Sequence, residues 1–139
     1  MLKTLIVDDE ELARRGLELR LQNYPDIEIC AQSRNGREAL EHVRTHAPDL
    51  MFLDVQMPGM DGFDVLRRLS GNDMPAVIFV TAYDEFALKA FDANAIDYLL
   101  KPINDERLAE AIERARQTAD ARLAETHRSK LLKFVCELT

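Results

Sequence analysis

Four apolar residues, Leu50-Met51-Phe52-Leu53, run without a polar interruption into Asp54, and a loop punctuated by Pro58, Gly59 and Gly62 follows. A strand with one wet face alternates apolar and polar side chains. An unbroken apolar run of this length therefore reads as a strand covered on both faces, which is the habit of parallel sheets. Runs rich in apolar residues recur along the chain, two of them with one acid inside. Lys3 to Val7 runs into Asp8-Asp9, Ile27 to Ala31 follows the turn Tyr24-Pro25-Asp26, Ala76 to Thr81 is apolar up to its last residue, and Ile96 to Leu100 runs into Lys101-Pro102.

Segments of helical periodicity lie between these runs. Leu12, Leu17 and Leu21 mark the first, with Arg14, Arg15 and Arg20 among them and the acids of Asp8-Asp9-Glu10-Glu11 at its positive end. Ala39, Leu40 and Val43 point inward on the second, after the turn Ser33-Arg34-Asn35-Gly36 and before Ala47-Pro48. Phe63, Leu66 and Leu69 form the face of the third, expected to end at Gly71-Asn72, and Leu88, Ala90 and Phe91 lie on a short fourth. From Asn104, an N-cap residue, a fifth carries Leu108, Ile112, Ala115 and Ala119 on one stripe. Five βα units in about 120 residues predict an α/β fold, a five-stranded doubly wound parallel sheet with an extended C-terminal helix.

Charge narrows the function. The formal net charge is -7, and residues 1–102 hold 11 Lys+Arg against 18 Asp+Glu, while residues 103–139 hold 7 of each. An acidic domain repels nucleic acid and attracts a divalent cation, so DNA contact is expected only through a domain missing from this chain. Cys30 and Cys136 fit no metal spacing and read as reduced thiols. No apolar run has the length of a membrane span and Met1 to Val7 is too short for a signal sequence, so a soluble, cytoplasmic protein is expected.

In an open parallel sheet the strands point their C-terminal ends at one edge, where ligands gather. Asp8, Asp9, Asp54, Thr81 and Lys101 would share that crevice. Taken alone, each has an ordinary reading: an aspartate punctuates a strand or caps a helix, a threonine closes a strand by β-propensity, and a lysine is solvated. Together the carboxylates repel one another by roughly 3 kcal/mol per pair at about 5 Å and an effective dielectric near 20. A divalent cation relieves that repulsion, and oxygen-only ligands with room for water suit Mg²⁺.

The set Asp8-Asp9, Asp54, Thr81-Ala82 and Lys101-Pro102 on five βα units resembles the receiver domain of two-component response regulators over residues 1–118. The resemblance implies the flavodoxin-like receiver fold. It further implies that Asp54 accepts a phosphoryl group from a sensor histidine kinase, and that Asp9, Asp54 and the Gln56 backbone carbonyl bind Mg²⁺ directly, with Asp8 holding a metal-bound water. Lys101 and Thr81 would meet the phosphoryl oxygens, Thr81 and Tyr98 would form the switch, and the Lys101–Pro102 bond would be cis. On this reading the chain is no enzyme beyond its own phosphoryl acceptance and autodephosphorylation.

The stretch from Thr81 to Ile103, with Tyr83, Phe86, Ala87 and Ala93-Asn94-Ala95-Ile96-Asp97-Tyr98, is similar to receivers attached to LytTR-type DNA-binding domains. That likeness implies control of transcription through an output domain, with residues 119–139 as a helical extension toward it. It also implies a homodimer through the fourth helix, fifth strand and last helix, with Lys89, Asp92, Asp97, Arg107 and Arg114 as interface charges. In the extension Leu131, Leu132, Phe134, Val135 and Leu138 crowd together and need a covering partner. Glu10, Glu11 and Asp61 read as solvated or capping residues, Asp49 and Asp64 receive no role, and His42, His46 and His127 read as surface residues. Two alternatives stay open: a receiver-like module that dimerises without phosphate, and a magnesium-dependent phosphohydrolase built on Asp8-Asp9.

Overall fold

A computed structural model describes residues 1–69 and 74–138. Its strands are β1 (Leu2–Val7), β2 (Ile27–Ser33), β3 (Leu50–Leu53), β4 (Ala76–Thr81) and β5 (Asp97–Leu100), and its helices are α1 (Glu11–Leu21), α2 (Gly36–His46), α3 (Gly62–Arg68), α4 (Ala87–Asp92) and α5 (Asp105–Leu138). A 3₁₀ turn, Asp84–Phe86, leads into α4. The sheet is parallel throughout, in the order β2-β1-β3-β4-β5. Chain direction across the sheet reverses between β1 and β3, and that reversal opens a crevice at their C-terminal ends.

Alternate residues of the apolar strands divide the core. Ile6, Leu50, Phe52, Ile78 and Val80 pack with Leu17 and Leu21 of α1 and Leu108, Ala111, Ile112 and Ala115 of α5. Leu5, Val7, Met51, Leu53, Val77 and Phe79 pack on the other face with Ala39 and Val43 of α2, Phe63, Val65 and Leu66 of α3, and Ala90 of α4. The doubly wound sheet expected from the unbroken runs is thus the fold of the chain. Leu12 is 82% exposed: five residues before Leu17, it lies about 140° around α1 from the buried face of Leu17 and Leu21. β2 also runs two residues past Ala31, since Gln32 and Ser33 pair with Ile6 and Val7.

Local chemistry fixes the helix starts. The Asn35 side chain accepts from Glu38 N–H at 2.9 Å, and that of Asn104 accepts from Glu106 and Arg107 N–H at 2.9 and 3.1 Å. At α3 the Asp61 carboxylate accepts from Asp64 N–H while Asp64 accepts from Asp61 N–H, a reciprocal cap that gives Asp64 a structural role. Asp49 also has one, accepting from Lys3 N–H at 2.9 Å. α3 ends at Arg68, and the end expected at Gly71-Asn72 lies outside the described residues.

α5 continues as one helix well past the domain. Arg116 grips both oxygens of Asp26, at 2.7 and 2.9 Å, which holds the Asp26 carboxyl below the usual carboxylate range. Arg122 donates to the Met74 carbonyl at 3.1 Å, and beyond it the helix is solvated. At about 100° per residue, Leu131, Leu132 and Val135 lie on roughly the opposite side of α5 from the stripe of Leu108, Ile112 and Ala115, while Phe134 lies to one side of it. Most of the tail's apolar residues therefore do not extend the stripe that faces the sheet.

Candidate functional site

The strand ladders bring the expected residues to one edge. Val7 is level with Leu53 and Leu53 with Phe79, so Asp8 and Asp54 emerge side by side, and Asp54 N–H donates to the Val7 carbonyl at 3.0 Å. Lys101 N–H donates to the Thr81 carbonyl at 2.8 Å, which fixes the far wall. The peptide bond between Lys101 and Pro102 is cis. Between these ends lies an open cavity of about 500 Å³, whose lining includes Asp9, Glu10, Asp54, Gln56, Asp61, Thr81, Ala82, Tyr83 and Lys101.

The charges interlock. The Lys101 ammonium donates to Asp8 Oδ2 at 2.8 Å and to Asp54 Oδ2 at 3.3 Å, standing between the two buried carboxylates. Asp8 Oδ1 accepts from Glu10 N–H at 2.9 Å and Asp54 Oδ1 from Gln56 N–H at 3.3 Å. Burial pushes the Asp54 carboxyl up, the neighbouring Asp8 charge pushes it further, and the attraction of Lys101 only partly offsets them, leaving it at about 6. Burial lowers the Lys101 ammonium, but its bond to Asp8 and the charges of Asp54 and Asp8 outweigh that and hold it above its ordinary value.

Thr81 is fully buried, and its hydroxyl has no hydrogen-bond partner among the described residues. A buried unmade hydrogen bond costs about 1 to 3 kcal/mol, so this donor is poised for a group that enters the cavity. Behind it, the Tyr98 hydroxyl donates to the Tyr83 carbonyl, and the Tyr98 ring lies against Phe79 with centroids 6.4 Å apart. Burial raises the Tyr98 phenol above its ordinary value. Gly62 closes the loop beneath Asp54: its N–H donates to the Val55 carbonyl at 2.8 Å, and a Cβ there would fall 2.4 Å from the Asp54 carbonyl oxygen. Only glycine allows α3 to start so close to the acidic strand end.

Carboxylate oxygens of Asp8, Asp9 and Glu10 lie within 4.8 Å of one another, and Asp54 opens into the same cavity. This donor set is all oxygen and concave, with a buried hydroxyl beside it, and it fits a hard divalent cation. Glu10 and Asp61 sit closer to the site than a solvated or purely capping reading implies. Arg14, which donates to the Asp8 carbonyl at 2.7 Å, was not legible as a site residue, although it stands six residues after a strand-end acid.

Of the five expected interface charges, three meet within the chain. Asp97 accepts from Arg107 at 2.8 Å and Arg114 at 2.7 Å within the same chain, and its side chain is almost wholly covered. Lys89 lies 4.4 Å above the Phe63 ring, and Asp92 is exposed on α4.

A family model of the response regulator receiver domain matches residues 4–113. "Transcriptional regulatory protein BtsR" of Salmonella typhi is 47% identical over 117 residues, covering 84% of this chain and 49% of that protein. The protein of the same name from Escherichia coli (strain K12) is 46% identical over the same shares. The chain thus spans about half the length of the curated relatives it matches. Among solved structures, the receiver domain of AraT from Geobacillus stearothermophilus superposes with a TM-score of 0.76 at 33% identity, covering 87% of this chain and 98% of that one. The response regulatory domain of mrkE from Klebsiella pneumoniae gives 0.75 at 30%, covering 88% and 99%.

Proposed function

Because this chain belongs to the response regulator receiver domain family, we propose that Asp54 is its phosphoryl acceptor, charged by the phosphohistidine of a sensor histidine kinase. One observation carries this reading most: the Lys101 ammonium joins Asp8 to Asp54 beside a buried Thr81 hydroxyl that lacks a partner among the described residues. Asp9, Asp54 and the Gln56 backbone carbonyl would hold Mg²⁺, with Asp8 through a water. When bound, the ion neutralises part of the charge crowded at this edge. Asp54, with its carboxyl at about 6, is mostly ionised at pH 7 and needs no base to attack phosphorus. Its oxygen forms the new P–O bond as the P–N bond of the donor breaks, and Lys101 and the Thr81 hydroxyl stabilise the charge on the transferring oxygens.

The phosphoryl group adds about -1.5 to -2 charge and new acceptors that Lys101 and Thr81 engage in only one conformer, the condition for a population shift. Movement of Thr81 toward phosphate would free space for the Tyr98 ring, which must leave the Tyr83 carbonyl. Addition of beryllofluoride with Mg²⁺ should shift the amide resonances of Asp9, Asp54, Gln56, Thr81, Tyr98 and Lys101 together. Shifts confined to Asp9 and Glu10 would mean cation binding without the acceptor chemistry.

Residues 1–118 would be the folded receiver and residues 119–139 a helical extension toward a LytTR-type output domain that binds DNA in the cytoplasm. The reading includes a homodimer through α4, β5 and α5 with Lys89, Asp92, Asp97, Arg107 and Arg114 as interface charges. A chain ending at Thr118 should melt within about 1 kcal/mol of the full one, because the lost residues are mostly solvated. Sedimentation should give a larger mass for the full chain than for the shortened one, corrected for length; equal monomer masses would remove the extension from the dimer.

A further inference from the structure

We propose that Arg14 is a positioning residue for the acidic site: its guanidinium pins the Asp8 carbonyl and so fixes the direction in which Asp9 presents its carboxylate. The inference rests on the magnesium reading above. Arg14 Nη1 donates to Asp8 O at 2.7 Å, at the short end for such a bond and assisted by charge. That oxygen belongs to the peptide joining Asp8 to Asp9, so the bond sets the plane of this peptide. Asp8 is held on its other sides as well, by Ser33 O at 3.1 Å, Glu10 N–H at 2.9 Å and Lys101 Nζ at 2.8 Å.

Asp9 is different. It is exposed, and among the described residues its carboxylate has no hydrogen bond or ion pair. Its direction therefore follows from the backbone that carries it. Arg14 N–H also donates to Glu10 O at 3.1 Å, so the first turn of α1 and the guanidinium clamp the two ends of the Asp8–Glu10 loop. With three acids nearby, the guanidinium nonetheless chooses the carbonyl and forms no ion pair among the described residues.

That choice separates two roles by sign. As a bare positive charge beside the site, Arg14 would weaken cation binding, and its removal would tighten it. As a pin, its removal loosens Asp9 and weakens binding, in line with the ten-fold or greater losses usual when groups that orient metal ligands are removed. Isothermal titration of the full chain with Mg²⁺ alone distinguishes them, using Arg14→Met, which keeps the stem and the helix propensity, and Arg14→Lys, which keeps a donor. Expected are about a ten-fold weaker Kd for Arg14→Met and a Kd near wild type for Arg14→Lys, with melting in chelator nearly unchanged. Should Arg14→Met not melt cooperatively, Arg14→Gln is read in the same way. Binding by Arg14→Met as tight as wild type, or tighter, overturns the inference. A wild-type chain that takes up no Mg²⁺ overturns the underlying reading instead and the inference with it.

Discussion

Asp54→Asn should raise the melting temperature at pH 7 in chelator by on the order of 10 °C, and the gain should disappear near pH 4. The folded carboxyl stands at about 6 against an ordinary value of 3.8, with burial as the main cause and the Asp8 charge second. Between those values the folded state holds a proton that the unfolded state has released. Stability therefore falls as pH rises from about 4 to about 6 and stays low above that, by about 2 to 3 kcal/mol at neutral pH. An asparagine keeps an acceptor for Gln56 N–H and removes the buried charge. Melts of both proteins from pH 4 to pH 8 check this. A separation that does not change with pH would mean that Asp54 carries no such penalty.

Removing the cation should act in the opposite direction. Lys101→Met leaves Asp8 and Asp54, both nearly covered, facing each other without the ammonium that now touches both. Breaking a buried pair on one side costs about 3 to 5 kcal/mol, and the partial exposure of Lys101 together with proton uptake by Asp54 reduces that to about 2 kcal/mol at pH 7. Asp54→Asn in the same chain should recover most of the loss, because it removes the repulsion that the lysine offsets. Phosphoryl acceptance should slow by about 100- to 1,000-fold, the usual scale for deleting one group that stabilises transition-state charge. Melts in chelator and adduct formation over time test both. An unchanged melt would show that the two carboxylates do not depend on Lys101.

The inner strands were legible because burial on both faces demands apolar runs, and Leu50–Leu53 and Ala76–Thr81 match that demand. The edge strands β2 and β5 instead carry Glu28 and Asp97 and are only partly covered. Once the strands are parallel, the meeting of Asp8, Asp54, Thr81 and Lys101 follows from topology alone. Side-chain choices among competing partners were not legible. Nothing in the spacing says that Arg14 reaches back to a carbonyl rather than to an acid, or that Asp97 joins Arg107 and Arg114 in its own chain. Leu12 groups in sequence with Leu17 and Leu21 yet is exposed, since a five-residue step turns about 140° around the helix and takes it off their face. Gly62 looked like loop punctuation, and its closeness to the Asp54 carbonyl appears only in three dimensions.

The acceptor itself is tested most directly by exposing the chain to a small phosphodonor with Mg²⁺ and reading intact mass. Wild type should gain a single phosphoryl group per chain, and Asp54→Asn, folded and more stable, should gain none. A phosphoryl adduct that persists in Asp54→Asn would contradict the assignment, and many turnovers of donor without any adduct would favour a magnesium-dependent phosphohydrolase.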